Sequence, residues 1–291
     1  MTTQPSASAA PTIGVFDSGF GGLTVLRALI RRLPHARFAF FGDTARLPYG
    51  SKSRRTIARY ASESAQFLVH EQGAEFLVIA CNTASALALD AIEASVPVPV
   101  LGVIEPGAIA AQSASNTGDV LVIATDATVR SGAYSAACRA HGLRAIEKAC
   151  PLLVPLVEEG WTKHPVTAEV IRIYLDEVLA DASAQKLRPD ALVLGCTHYP
   201  LLRPLIEQAV PSGMRVIDSA EAAADAAVRL FDLPGVPVSD QGSPGHDLEG
   251  PSTIEPVIRC FATDSVDKFQ RLGSRFLERP VGEVELVDLG G

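Results

Sequence analysis

The chain has little that would tie it to nucleic acid, membrane or metal. Lys and Arg number 25 against 33 Asp and Glu, which leaves a net charge of −8 over 291 residues. The charges are scattered, with no basic patch of the kind that phosphate backbones or anionic membranes require. No apolar run approaches the roughly 20 residues of a membrane-spanning helix. No grouping of side chains has zinc-ligand spacing, so no metal is expected. Cysteine is sparse: Cys81, Cys138, Cys150, Cys196 and Cys260 are far apart, with no C-x-x-C. An odd count without a secretory signal points to reduced thiols in the cytoplasm. The opening MTTQPSASAAPT has no basic residue and no apolar core, and residues 1–11 read as a flexible leader.

What is present is an ordinary globular mixture, 47% hydrophobic and 20% charged, long enough for one large domain or two modest ones. Short apolar runs at 13–17, 37–43, 75–81, 98–103, 119–125, 144–150, 191–196 and 215–218 lack clean alternation. They read as strands covered on both faces. Helical patterns lie between them. Ser53 to His70 places Ile57, Ala61, Ala65 and Leu68 on one face. A second helix is expected with Thr167 as its cap, and Ser131 and Gly142 bracket a third. This alternation predicts an α/β fold with parallel sheets. The order also looks doubled. IGVFDSG followed by FLVIACNT is echoed by VLVIATDAT followed by LVLGCTHY at a similar interval, which suggests two like lobes facing each other. Residues 233–252, rich in Gly, Pro and Ser, read as an exposed or flexible insert.

Ligands of open α/β sheets bind beyond the carboxyl ends of strands. Cys81 and Cys196 both fall there, each expected just before a helix, where the macrodipole favours a thiolate. Asn82, Thr83, Thr197 and His198 add polar groups beside them. A single such cysteine is better explained as a small buried hydrophobe. Two in equivalent settings favour chemistry. Asp17 follows the first strand and can accept a proton from a thiol or cap a turn. GFGG at 19–22 does not match G-x-G-x-x-G, because Thr24 stands where the third glycine belongs. Its glycines are read as letting backbone approach a small anion. Tyr49 and Gly50, after Pro48, present a phenol and an amide, although a structural loop is the plainer reading. Thr125 and Thr128 can hold a carboxylate or cap a helix. Glu158 and Glu159 close an apolar run, and at least one of them reads as a solvated surface group.

The motifs FDSGFGGLTVL, GDTARLPYG, ACNTASA, VLVIATDATVRSGAY, CPLLVPLVEEG and LGCTHYPLL, with the closing RFLERPVGEVELVDL, resemble those of glutamate racemases. These are the cell-wall enzymes of the cofactor-independent aspartate/glutamate racemase superfamily. The resemblance covers nearly the whole chain apart from the leader and the insert. It implies two pseudo-symmetric three-layer lobes, 1–103 with 218–291 and 104–217, with the active site between them. It implies no cofactor, glutamate as substrate and a homodimer. It makes Cys81 the acid/base for D-glutamate and Cys196 that for L-glutamate. Asp17 assists Cys81, and Glu158 and His198 assist Cys196. Asp17, Ser18, Tyr49, Gly50, Asn82, Thr83, Thr128, Thr197 and His198 are implied on the substrate. Ala127 departs from the pattern, where glycine is expected. An aspartate racemase or related isomerase, a non-catalytic amino-acid sensor and a cysteine-nucleophile or thiol-redox protein are the competing readings. Redox pairing would need the two sulfurs in contact.

Overall fold

The computed structural model describes residues 10–236 and 256–290. The expected leader and insert therefore lie, for residues 1–9 and 237–252, outside the described residues. Among the described residues, ten strands form two parallel sheets with helices on both faces. The first sheet is centred on β1 (Thr12–Asp17), between β2 (Arg37–Gly42) and β3 (Phe76–Ile79), with β4 (Val100–Gly102) beyond β3. The second is centred on β5 (Asp119–Ala124), between β6 (Arg144–Ala149) and β7 (Ala191–Gly195), with β8 (Arg215–Asp218) beyond β7. The orders β2-β1-β3-β4 and β6-β5-β7-β8 are the same, so the echo heard in the sequence is a repeat of architecture. Two late strands, β9 (Ile258–Ala262) and β10 (Val284–Leu286), return the chain to the first sheet and extend it past β2. They break the symmetry and are absent from the sequence reading, because IRCFA and VEL are too short to stand out.

The strands are apolar throughout because both faces are covered. Along β1, Val15 faces one core and Phe16 another; Phe40 and Phe41 of β2, and Val78 and Ile79 of β3, divide in the same way. In the second sheet, Leu121, Ile123, Leu192 and Leu194 join the core of Val15, while Val120, Val122 and Val193 turn to a third. One apolar core thus runs through both sheets. It passes between α1 (Leu23–Arg32) and α11 (Ser219–Leu230), whose Ala223, Ala224 and Ala227 are fully buried. Small residues on α11 let these helices approach closely, and each large buried side chain contributes about 1.5–3 kcal/mol.

The local starts and stops have identifiable causes. Ser53 caps α2 (Arg54–Gln66) by accepting from Thr56 N at 3.3 Å, and the chain continues through a π-turn at Phe67–Glu71. The helix predicted with Thr167 as its cap begins three residues earlier, as α9 (Pro165–Ala184). His164 caps it, and proline suits its first position. Thr167 instead donates to Trp161 O at 2.7 Å. The helix expected between Ser131 and Gly142 is α7 (Ala133–Ala140), entered through Gly132 at φ +66. No helix among the described residues is long and apolar enough to cross a membrane.

Candidate active site

A cavity of about 530 Å³ lies where the carboxyl ends of the two sheets meet. That volume suits a small ligand. Cys81 and Cys196 both line it, one at the end of β3 and the other at the end of β7. All five cysteines are unpaired, so no disulfide joins these two.

Cys81 is the cap of α3 (Asn82–Leu87), where Ala84 N donates to its sulfur at 3.5 Å. Its thiol donates to Ser18 Oγ at 3.3 Å. Cys196 is set differently. A turn and a single 3₁₀ turn at Tyr199–Leu202 separate it from α10 (Arg203–Ala209), so the helix start expected beside it is not there. Its sulfur lies 3.9 Å from His198 Nδ1. Burial dominates both thiols, against the expectation that a macrodipole would favour thiolate. Cys81 is pushed up to about 11 by burial and the nearby Asp17 charge. Cys196 is pushed higher still, by burial and by the Cys81 and Asp17 charges. Burial therefore favours the thiol over the thiolate at both cysteines.

Asp17 is buried at the end of β1. Its Oδ2 accepts from Gly19 N at 3.0 Å, while Oδ1 is buried without a partner. Burial raises its pKa, partly offset by the charge of His198 and by backbone donors. Glu158 ends α8 (Leu153–Glu158). Its Oε1 lies 3.4 Å from His198 Nε2, close enough for an ion pair but not aligned as a hydrogen bond. Lys268 Nζ stands 3.3 Å from Oε2. Burial alone would raise the Glu158 carboxyl, but His198 and Lys268 outweigh it and hold it below its ordinary value.

The rest of the lining is hydroxyls, amides and an apolar rim. Ser18, Gly50, Asn82, Thr83 and Thr197 line the cavity, and so do Asp17, Glu158 and His198. Thr128 does not. It lies fully buried behind the wall, 3.3 Å from Thr83 Oγ1 and 3.0 Å from Thr125 Oγ1, and Thr125 is the member of that cluster that reaches the cavity. Thr83 and Thr125 are themselves 3.1 Å apart, so three hydroxyls from two lobes close a ring. Ala127 sits buried in the first turn of α6 (Asp126–Ser131), where helical backbone accepts alanine as readily as glycine. Tyr49 borders the cavity, but its hydroxyl donates to Asp43 Oδ2 at 2.5 Å and is not offered to a ligand. Asp43 is fully buried and also accepts from Arg46 and Thr263, which pins this wall to β9.

The glycines of GFGG serve approach of the protein to itself. A Cβ on Gly21 would lie 2.3 Å from Thr197 Oγ1 and 2.6 Å from His198, and one on Gly22 would lie 2.6 Å from Asp17 Cβ. Gly19 spends its N–H on Asp17. The reading of this loop as an anion cradle is corrected accordingly. Phe20 and Phe276 pack against each other at 5.8 Å and both against the His198 ring, at centroid separations of 6.1 and 5.1 Å. Sequence reasoning missed both aromatic supports, as well as Asp126, Pro151, Val154 and Pro155 on the rim. Phe20 stood inside a quoted motif, but nothing in the sequence joined it to His198.

Two like lobes with one cysteine each on a shared, small-ligand cavity form the architecture of an amino-acid racemase. A family model described as Asp/Glu/Hydantoin racemase matches residues 13–227. The glutamate racemase of Koribacter versatilis is 54% identical over 290 residues, covering 97% of this chain and 98% of that one. Among solved structures, glutamate racemase RacE1 of Bacillus anthracis superposes with a TM-score of 0.81 at 33% identity, covering 97% of this chain and 98% of that one. The Francisella tularensis glutamate racemase in complex with D-glutamate gives 0.79, also at 33% identity and with the same coverage. The chain belongs to the Asp/Glu/Hydantoin racemase family.

Proposed function

We propose that this chain interconverts L- and D-glutamate by a two-base proton transfer and supplies D-glutamate for peptidoglycan synthesis. The observation that carries the reading is the placing of Cys81 and Cys196 at the ends of equivalent strands, both lining one cavity. Inverting a stereocentre means taking hydrogen from one face of the α-carbon and returning it to the other. One acid/base group per face does this most simply. Cys81 acts on D-glutamate and Cys196 on L-glutamate, each being thiolate in one direction and thiol in the other.

Burial makes either thiolate costly. The ammonium group of a bound amino acid brings a positive charge beside the sulfurs and lowers that cost. Asp17, buried beside Cys81 with Oδ1 unpartnered, is the carboxylate that assists it. On the other side, Glu158 and His198 form the relay toward Cys196. Ser18, Asn82, Thr83, Thr125 and Thr197 offer the hydroxyls and amides that two carboxylates need, with backbone N–H at Gly50. Pro151, Val154 and Pro155 make part of the rim apolar, which strengthens polar interactions beside them.

The lobe boundaries at 103 and 218 are part of this reading. It is supported by the helix α5 (Ile104–Ala114) that opens the second lobe and by β8 ending at Asp218. Five unpaired cysteines support a cytoplasmic setting. A homodimer belongs to the proposal, and light scattering of the purified chain tests it. The activity is tested by incubating pure protein, without added cofactor, with each enantiomer of glutamate and of aspartate, and following optical rotation. Turnover of glutamate with little of aspartate is expected. Preference for aspartate would replace the substrate assignment, and inactivity on both would remove it.

A further inference from the structure

The motif VLVIATDATVRSGAY ends at a residue that the proposed chemistry leaves without a task. Tyr134 is fully buried on α7, in the second lobe, yet its hydroxyl donates to Asn82 Oδ1 of the first lobe at 2.7 Å. Two glycines make room for it. A Cβ on Gly195 would lie 2.9 Å from Tyr134 Cε2, and one on Gly107 would lie 3.3 Å from Cε1 and 3.4 Å from the hydroxyl. Burial pushes the phenol well above its ordinary pKa, so it stays a donor. Asn82 is itself 3% exposed and lines the cavity, and its Nδ2 has no partner. A buried amide donor left open in this way calls for an acceptor that the protein does not supply.

We propose that Tyr134 is a positioning residue that fixes the Asn82 amide with its N–H₂ turned into the cavity, ready for a substrate carboxylate. With the amide reversed, the Tyr134 proton would lose this acceptor and the phenol oxygen would have to accept from Nδ2 instead. The bond also crosses from one lobe to the other, so the donor is aimed only when the lobes stand in this relation. The inference rests on Asn82 being a substrate contact.

The test is a double-mutant cycle on KM and kcat for glutamate. Tyr134→Phe keeps the ring and removes the hydroxyl, and is expected to raise KM about tenfold with a smaller change in kcat. Asn82→Ala should raise KM by at least as much. The double variant should be no worse than Asn82→Ala alone, because Tyr134 acts through Asn82. Additive losses, or an unchanged KM in Tyr134→Phe beside a raised one in Asn82→Ala, would overturn the positioning role and leave Asn82 as a contact. An unchanged KM in Asn82→Ala would remove the contact itself and the inference with it. Asn82→Asp provides an independent check should Tyr134→Phe fold poorly. It keeps the acceptor for Tyr134 and turns an anion toward the substrate, so it should bind glutamate more weakly than Asn82→Ala. Binding at the wild-type level would show that the amide presents its oxygen to the cavity and would overturn the proposal.

Discussion

Adding a single methyl group at Gly21 should disable the Cys196 side of the site while leaving the fold intact. Gly21 is not in the left-handed region of backbone space, so alanine brings no backbone strain there. The difficulty is steric. The new Cβ would stand 2.3 Å from Thr197 Oγ1 and 2.6 Å from His198 Cε1 and Nδ1. Restoring an ordinary contact of 3.4 Å requires a displacement of about 1 Å. The Thr197 hydroxyl can turn aside, but the His198 ring, also 2.6 Å from the new Cβ, is packed against Phe20 and Phe276 and must shift. The added methyl therefore pushes the His198 ring off its place beside Cys196. Misplacement of reacting groups by 1 Å costs about 100-fold in rate, or about 2.7 kcal/mol in the barrier. Overpacking should cost about 1–3 kcal/mol of stability. The assay is initial rates from both enantiomers by circular dichroism, with a thermal melt to establish that Gly21→Ala is folded. A folded variant with kcat within about threefold of wild type would refute the reasoning.

Three further outcomes are expected. Cys81→Ser and Cys196→Ser should each abolish interconversion of the enantiomers, because a hydroxyl is too weak an acid to replace either thiol; full activity in either would contradict the two-base assignment. Stability should be flat through neutral pH and fall as pH rises above about 9, the ordinary thiol value. Burial raises Cys81 and Cys138 to about 11 and Cys150 and Cys260 to about 12 in the folded chain. A thiol whose folded pKa is raised stabilises fully below its unfolded value and loses that contribution as pH climbs toward the folded one. Urea melts in reducing buffer between pH 7 and 11 check this, and an undiminished midpoint would count against it. Asp43→Ala should destabilise by about 1–3 kcal/mol in urea unfolding, because it leaves the buried Tyr49 hydroxyl without its acceptor and removes one of the two carboxylates paired with Arg46, Glu63 remaining; a loss below about 1 kcal/mol would show the network to be dispensable.

Much of this was legible in the sequence for one physical reason. Strands buried on both faces write continuous apolar runs, and Cys81 and Cys196 each end such a run abruptly. The doubled order of those runs corresponds to the same strand order in each sheet. What remained hidden depends on contacts between distant segments. β9 and β10 are short and gain their place only by pairing with β2 and with each other. Thr125 and Thr128 are both threonines at one strand end, and only helical geometry decides that Thr125 faces the cavity. The phenol of Tyr49 reads as a ligand group until Asp43 is seen beneath it, and Gly21 reads as an anion cradle until His198 is seen against it. The thiol pKa values could not be read at all, because burial, which dominates them, is a property of the folded site.

The measurement that bears most directly on two opposed thiols is the fate of the α-hydrogen in D₂O at early conversion. Starting from either protiated enantiomer, the product should carry α-deuterium almost completely while the recovered substrate remains protiated, since one group removes hydrogen and a different, solvent-exchanged one returns it. Deuterium appearing in recovered substrate as fast as in product would mean a single base serving both faces, and would contradict the account.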